Sequence, residues 1–444
     1  MTREKRTPAG SWIALATLLV TMWYAVVDKQ VIVLLAQPLK ADLHLSDTQI
    51  GSLQGIGAAL FTAIAVFPIG WIADRVDRRF VLAACILVWS AAVAACGFAQ
   101  GYWSLLACVA FLSAGETGLS PIVFALIPQL VAERVRMTVN FVMFGATLVG
   151  AGAGFALAGV VVDHIGWFAQ WAPQGPFTRE TWRLVFLVVA IPGPFLALAA
   201  ACIRLQAREQ VHDVPVAQPA ARKREFLAYL ASHWKAVAGI YVSSGLVTLG
   251  TAAIFTWLPV IFARQFGLNA SAVGSGFGTA VAVGTIVGLG GAATSASFLK
   301  SKWGAATPVR LCLLGYCILA LSAPLYLLFP TPSAMFVVAG IQMTALIGGN
   351  SLMPTLLQDL TPASLRGRIF ATATVVTTVF QVISPIAVGL LSDHLFISAG
   401  GLLLSSIVLG ISGFVLAAAL LRLAEKHVVQ TVYEVRALSS DAIS

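Results

Sequence analysis

The chain has 444 residues, of which 59% are hydrophobic and only 10% are charged, and its mean hydropathy is +0.90. Soluble globular proteins are closer to half apolar and one quarter charged, so these values exclude that class and predict a polytopic membrane protein. The formal net charge of +9 at pH 7 does not indicate nucleic-acid binding, because the basic residues are scattered over short loops.

Long apolar runs recur from Trp12 to Leu421. A hydrocarbon core about 30 Å thick needs about 20 residues of helix per crossing, and we count roughly twelve runs of that size. The alternating pattern of a membrane barrel is absent, so all crossings are predicted to be helices. The run that starts at Trp12 is longer than the core of a signal peptide and lacks a convincing cleavage site, so we interpret it as a retained first span.

The distribution of basic residues predicts the orientation of the spans. With a cytoplasmic amino terminus, most lysine and arginine residues fall in inner loops, and the predicted outer loops keep only Lys40, Arg179, Arg183 and Arg264. The positive-inside rule therefore predicts that both termini are cytoplasmic and that the chain crosses the inner (plasma) membrane several times.

Two acidic residues stand well inside apolar sequence, Asp28 in the predicted first span and Glu116 in the fourth. Acids within a membrane are costly and usually functional, and burial favours the neutral form of a carboxyl group. We therefore predict that Glu116 carries a proton and that Asp28 is its partner. A structural ion pair between Asp28 and Lys29 is the alternative. Successive helical residues point about 100° apart, so if Asp28 lines the cavity we expect Lys29 to point sideways or towards the membrane interface.

The chain divides near its middle into two similar halves. Leu43–Ser52 aligns with Phe266–Ser275 about half the chain further on, and the polar stretch Gln206–Glu225 separates the halves. We predict an amino-terminal six-helix bundle (residues 1–204), a cytoplasmic linker (205–233), a carboxy-terminal six-helix bundle (234–422) and a cytoplasmic tail (423–444). Two parallel six-span repeats are typical of transporters whose binding cavity lies between the halves.

A charged loop follows the predicted second span and reads Gly70-Trp71-Ile72-Ala73-Asp74-Arg75-Val76-Asp77-Arg78-Arg79. It resembles the loop signature of the major facilitator superfamily, and the whole chain fits that plan. Val27–Gln30, Pro38–Leu43 and Leu45–Gly51, with Gly115-Glu116 further on, resemble the start of bacterial Spinster-like transporters. This narrower resemblance is concentrated in residues 1–160.

The resemblance implies an all-α membrane protein with the major facilitator superfamily fold, about twelve transmembrane helices in two pseudo-symmetric six-helix bundles. It also implies that the loop is a conformational latch formed by Gly70, Asp74, Arg75, Arg78 and Arg79. In such a latch Asp74 engages the amino end of a neighbouring helix, and the arginines bind carboxylates or lipid headgroups. The alternative is that these charges only fix the topology.

One position departs from the Spinster pattern. Members of that family commonly carry an arginine about two turns before the glutamate of the fourth span, where this chain has Val109. A basic partner of Glu116 is therefore missing there, which indicates an altered proton affinity or a different substrate. Lys29 stands where relatives tend to have arginine, and it lacks the planar fork that grips a carboxylate or phosphate.

Other polar and aromatic residues are candidates for a substrate cavity. Asn350, in the predicted tenth span, occupies the position that corresponds to Glu116, so proton chemistry is predicted to belong to the first half. Asn350 is then expected to bind substrate or to make a hydrogen bond between helices. The predicted cavity set is Lys29, Tyr24, Phe124, Asn350, Tyr241 and Gln342, with packing as the alternative role of the aromatic residues.

These features predict a monomeric, proton-coupled secondary transporter that moves an amphipathic lipid-like or organic-anion solute by alternating access. Small organic acids or sugar acids are the alternative substrates. The predicted partners are the small-molecule substrate, protons and membrane lipids.

A lipid-modifying intramembrane enzyme and a substrate sensor without transport are the alternative functions. The enzyme is disfavoured because the six histidines lie in loops or at span ends and the six cysteines lack metal-site spacing. No phosphate-binding loop of the Walker type occurs, and no metal site or cofactor is predicted.

Overall fold

The computed structural model describes residues 9–73, 75–131, 133–170, 175, 180–203, 219–362, 365–398 and 400–441. Over these residues the regular structure consists of helices, without a strand. This confirms the predicted all-α membrane fold. A helix pairs its backbone N–H and C=O groups internally, which is the arrangement that a lipid environment requires.

The helices of the first half of the chain are α1 Ala9–Leu34, α2 Ala36–Asp42, α3 Asp47–Ser52, a π-helical segment Leu53–Leu60, α4 Phe61–Ala73, α5 Arg78–Cys96, α6 Tyr102–Thr117, α7 Leu119–Leu130, α8 Glu133–Ala169, α9 Thr181–Ala190 and α10 Pro192–Ala201. Side chains fix where some of them begin. Ser46 and Gln49 form a capping box at the start of α3. Asp77 caps α5 by accepting a hydrogen bond from the Arg79 N–H at 3.1 Å.

The helices of the second half are α11 Pro219–Ser232, α12 Trp234–Phe255, α13 Leu258–Phe266, α14 Ala270–Trp303, a 3₁₀ turn Gly304–Ala306, α15 Thr307–Ser322, α16 Leu325–Leu328, α17 Pro332–Asn350, α18 Met353–Leu360, α19 Arg366–Leu390, a π-helical segment Leu391–Leu395 and α20 Gly401–Asp441. Proline lies in the first turn of α15, α17 and α18, where its missing N–H group has no partner to lose.

Ten runs of the described residues are long and apolar enough to cross a membrane. One of them, Ala270–Leu328, contains two long helices, α14 and α15, and α4 contributes a shorter apolar helix. These described segments account for the roughly twelve crossings that the sequence predicts. The chain is therefore a multi-pass membrane protein.

Parts of the predicted linker and tail are helical. α11 fills the second part of the linker 205–233, whereas residues 204–218 lie outside the described part of the chain. α20 continues from the last apolar run through most of the tail 423–444. The boundaries of the two predicted six-helix bundles stay a prediction.

The packing of the chain divides it into two units. The first consists of the described residues within Met1–Glu209, Leu258–Ala282 and Pro385–Ala399, and the second of those within Gln210–Trp257, Val283–Ser384 and Gly400–Ser444. In the first unit, α5 packs on α6 and α1 packs on α8. In the second unit, α12 packs on α20 and α15 packs on α17. Two segments from the second half of the sequence thus belong to the first unit.

Glycines allow α12 and α20 to pack closely. A Cβ atom at Gly413 would lie 2.7 Å from the carbonyl oxygen of Leu246 and 3.1 Å from the nitrogen of Gly250. A Cβ atom at Gly250 would lie 2.9 Å from the carbonyl oxygen of Gly410. Small residues at such contacts let two backbones approach, which is a main source of helix association in membranes.

We predict that Gly413→Ala lowers the thermal unfolding temperature of the detergent-purified protein, because the added methyl group forces α12 and α20 apart at a cost of about 1–3 kcal/mol. Gly145→Ala on α8 is the matched control, since nothing lies within 4 Å of a Cβ atom there. An equal effect of both substitutions would contradict the packing argument.

Candidate functional site

An ion pair joins α1 to α6 inside the first unit. The Nζ atom of Lys29 lies 3.0 Å from Oε2 of Glu116, without the alignment of a good hydrogen bond. The glutamate side chain is only 4% exposed, whereas the lysine side chain is 61% exposed. The pair therefore joins an enclosed carboxylate to an ammonium group on an exposed side chain.

Lys29 reaches a carboxylate on the neighbouring helix and not Asp28. Successive residues on a helix do point about 100° apart, but the flexible four-carbon stem of lysine bridges the gap to a carboxylate on the neighbouring helix. The prediction considered Lys29 as a mate of Asp28, whereas its ion-pair partner is Glu116. Val109 is buried, and Lys29 supplies the positive charge that the valine cannot.

Asp28 is the second buried acid of the site and is 3% exposed. Its Oδ1 atom has no hydrogen-bond partner in the part of the chain that the structure describes. An isolated carboxylate is far more costly to bury than a neutral acid. Asp28 therefore has the surroundings of a proton-binding carboxyl group.

Close packing of α5 and α6 positions Glu116. A Cβ atom at Gly115 would lie 2.7 Å from the backbone nitrogen of Trp89, so only glycine lets the helices approach here. Tyr24, one turn before Asp28, packs on Trp89 with 5.7 Å between ring centroids.

The remaining cavity candidates lie in two places. The hydroxyl group of Tyr24 donates to the carbonyl oxygen of Val189, and Phe124 is half-buried on α7.

The three other candidates lie in the second unit, and each makes a hydrogen bond within the protein. Asn350 accepts from the Tyr316 hydroxyl at 3.4 Å. The Tyr241 hydroxyl donates to the Ile369 carbonyl oxygen at 2.7 Å, and Gln342 accepts from the Tyr326 hydroxyl at 3.2 Å. Asn350 thus makes the hydrogen bond between helices that was its alternative role. A role of these residues in substrate binding stays a prediction.

The predicted latch is described only in part, because Asp74 lies outside the described residues. The Arg75 guanidinium lies 3.6 Å from the centroid of the Trp71 ring. Gly70 and Arg78 line a cavity of 210 Å³ beside α4 and α7.

The other latch arginines donate hydrogen bonds to backbone carbonyl oxygens of neighbouring segments. Arg78 donates from Nη1 to the carbonyl oxygen of Ala125 at 3.4 Å, and Arg79 donates from Nη1 to that of Ile203 at 3.1 Å. Arg79 also lies 3.0 Å from the Asp77 carboxylate. These contacts join the loop to the middle of α7 and to the residues just after α10, and the role as a latch stays a prediction.

A second charged cluster, centred on Asp47 at the start of α3, was missed from the sequence. Asp47 is buried and accepts hydrogen bonds from two Arg264 nitrogens at 2.6 and 2.8 Å, from Lys40 at 2.5 Å and from Ser392 at 3.1 Å. Burial opposes ionisation, but the hydrogen bonds and charges of Arg264 and Lys40 outweigh it and lower the pKa of Asp47 to about 2. Lys40 and Arg264 are two of the four basic residues in the predicted outer loops.

Two aspartates cap the repeated segments of the sequence. Asp393 accepts from the Thr48 N–H at 2.8 Å, and Asp163 accepts from the Ser271 N–H at 2.8 Å. Thr48 and Ser271 are equivalent positions of the repeat. A carboxylate at a helix amino terminus is favoured by the unpaired N–H groups and the helix dipole. The two caps could have been predicted from the sequence by aligning the repeats and noting the acids at the ends of the fifth and eleventh spans.

The described helices, with charged residues paired inside apolar packing, form a multi-pass membrane protein. Among the described residues, no three His, Cys, Asp or Glu side chains lie together in a way that holds a metal ion. The sequence profile of the Major Facilitator Superfamily matches residues 13–385. The chain belongs to this superfamily.

Relatives and solved structures agree with that membership. An MFS-type efflux pump of Mycolicibacterium smegmatis is 24% identical over 88% of this chain and 87% of its own length. A gentisate transporter of Corynebacterium glutamicum is 25% identical over 80% of this chain and 75% of its own. A crystal structure of a bacterial homologue of the human lysosomal transporter Spinster, inward-facing and unoccupied, has a TM-score of 0.74 at 18% identity and covers 96% of this chain and 97% of that one. The fold thus resembles that of the bacterial Spinster homologues.

We predict that Lys29 and Glu116 are energetically coupled. Lys29→Met leaves a buried carboxylate without its ion pair. The substitution should therefore destabilise the wild type more than it destabilises the Glu116→Gln variant. A double-mutant cycle on the thermal stability of the purified variants should give a coupling of about 0.5–3 kcal/mol. Additive effects would contradict the ion pair.

We also predict the pH response of the Asp47 cluster. The pKa of Asp47 in the folded protein, about 2, lies below the value of about 3.9 in an unfolded chain. The cluster therefore stabilises the fold above about pH 4 and loses this effect as the pH falls towards 2. The difference in unfolding temperature between wild type and Asp47→Asn should be constant from neutral to weakly acidic pH and shrink only in stronger acid. A difference that already changes near neutrality would refute the assignment.

Proposed function

We propose that the chain is a proton-coupled secondary transporter of the inner membrane that moves an amphipathic or organic-anion solute by alternating access. We propose further that it is a monomer with both termini in the cytoplasm, as the positive-inside rule suggests. The observation that carries the proposal is the arrangement of Asp28, Lys29 and Glu116. Two buried acids and one accessible lysine lie together in apolar helices. Such residues in a membrane usually serve a transported ion or solute.

The geometry suggests how proton and solute are coupled. When Glu116 is ionised, its carboxylate holds the Lys29 ammonium at 3.0 Å. A proton on Glu116 removes that charge and leaves Lys29 free to pair with an anion. The proton and an anionic solute then favour the same state of the site, which is the coupling that a transporter requires. Asp28 offers a second proton-binding carboxyl group beside it.

The chemistry of Lys29 favours an anionic group on the solute. A lysine ammonium is a compact point charge that accepts carboxylate or phosphate without a fixed geometry. The Spinster-like fold supports an amphipathic, lipid-like solute with such a headgroup. Small organic acids are the second candidate, because a relative that aligns over most of the chain is a gentisate transporter.

We predict that Glu116→Gln removes the pH dependence of ligand binding while the protein still folds. The measurement is thermal stabilisation of the purified protein between about pH 5 and pH 8 with lysolipids, fatty acids, sugars and organic acids. The wild type should respond to a ligand in a pH-dependent way, and Glu116→Gln should respond equally at every pH. Glu225→Gln on α11 is the matched control, because Glu225 is an exposed acid of the same type.

Two results decide between the parts of the proposal. A ligand whose effect keeps its pH dependence in Glu116→Gln would move the proton site to Asp28, with Asp28→Asn as the next variant. A sugar that binds while all anions fail would contradict the role of Lys29.

A further inference from the structure

A polar cavity of 230 Å³ lies in the second unit, where α11 ends and α12 begins, against α20. Its lining includes His233 and Lys235 at the junction and His427, Gln430 and Glu434 on α20. None of these residues belongs to the ion pair of α1 and α6 or to the latch loop. The cavity therefore needs an explanation of its own.

The one carboxylate among the lining residues is already paired. Glu434 Oε2 lies 3.3 Å from Nε2 of His233, and its Oε1 accepts from the Gln430 amide at 3.0 Å. Lys235 differs, since its Nζ atom lies 5.8 Å from the centroid of the Trp234 ring and pairs with no carboxylate in the described chain. His427 likewise contributes a ring without a side-chain partner among the described residues. Lys235 and His427 thus face a space whose one carboxylate already holds contacts of its own with His233 and Gln430.

The backbone at the junction of α11 and α12 also favours a negatively charged group. Trp234, Lys235 and Ala236 form the first turn of α12 and line the cavity, and the residue before them, His233, makes no capping hydrogen bond with its side chain. The first N–H groups of a helix lack partners within the helix and favour a negative group. Lys235 and this turn therefore act together on an anion.

The position of the cavity indicates where the anion comes from. α12 opens the membrane-crossing run Trp234–Phe266, so the cavity lies at the end of a span, at the depth of lipid headgroups. The Trp234 side chain beside it is 60% exposed. An exposed tryptophan at the end of a span is typical of the interface between lipid and water.

We propose that this cavity binds the phosphate group of an anionic phospholipid, with Lys235 and His427 as the charged and polar contacts. The bound headgroup would then hold α11 against α20 at the surface of the membrane. This lipid is a bound ligand and not the transported solute, so the inference stands apart from the proposed transport function.

The test is a titration of the full-length purified protein with short-chain phosphatidylglycerol, followed by thermal unfolding. The apparent affinity of the wild type should fall about tenfold or more in Lys235→Gln/His427→Gln, because the hydrogen bonds to a charged group are lost. Lys426→Gln is the matched control, since it removes an equal charge from an exposed neighbour that does not line the cavity. Phosphatidylcholine, which has no net charge, should stabilise the wild type far less.

A second measurement uses the wild type alone and so does not depend on the folding of the variants. Phosphatidylglycerol should slow hydrogen exchange of the Trp234–Ala236 backbone amides. Inorganic phosphate that protects these amides as well as the lipid does would overturn the lipid assignment and leave a site for free phosphate. Equal affinity in the double variant, an equal loss in Lys426→Gln, or unprotected amides would overturn the proposal itself.

Discussion

A charge inside a membrane must be neutralised by a partner or by a proton, and this constraint organises the first unit of the protein. Glu116 meets it with the ammonium group of Lys29, whereas Asp28 has a carboxylate oxygen without a hydrogen-bond partner among the described residues. The close approach of α5 and α6 at Gly115 keeps Glu116 buried, so the glutamate cannot exchange its ion pair for water. Packing and charge are therefore coupled, because a looser helix contact would hydrate the pair and weaken it.

The two charged clusters of the first unit differ in their availability to protons. Asp47 is surrounded by cations that hold it ionised at all ordinary pH values, so protons do not loosen its cluster. Glu116 has one cation, on a flexible and accessible side chain. The same type of interaction is thus insensitive to protons in one place and, in the function that we propose, responsive to them in the other.

The sequence predicted the fold and the two buried acids because both produce strong local signals. Twenty apolar residues in a row and an acid among them are visible without any knowledge of neighbours. The partner of Lys29 was not predictable, since it depends on which helix faces α1 and on the reach of a lysine side chain. Asp47 was missed for a different reason. An acid in a loop is normally solvated, and only the fold brings Arg264 and Lys40 to it.

The aspartate caps of the repeated segments have a consequence for the origin of the chain. Asp163 in the first half caps the segment of the second half at Ser271, and Asp393 in the second half caps the segment of the first half at Thr48. Reciprocal contacts of this form characterise an isologous dimer, in which a residue of each subunit meets the partner's counterpart. A six-helix ancestor that paired with its own copy would have formed both caps from a single aspartate. In the present chain each cap is formed by its own aspartate, so a substitution at one leaves the other in place.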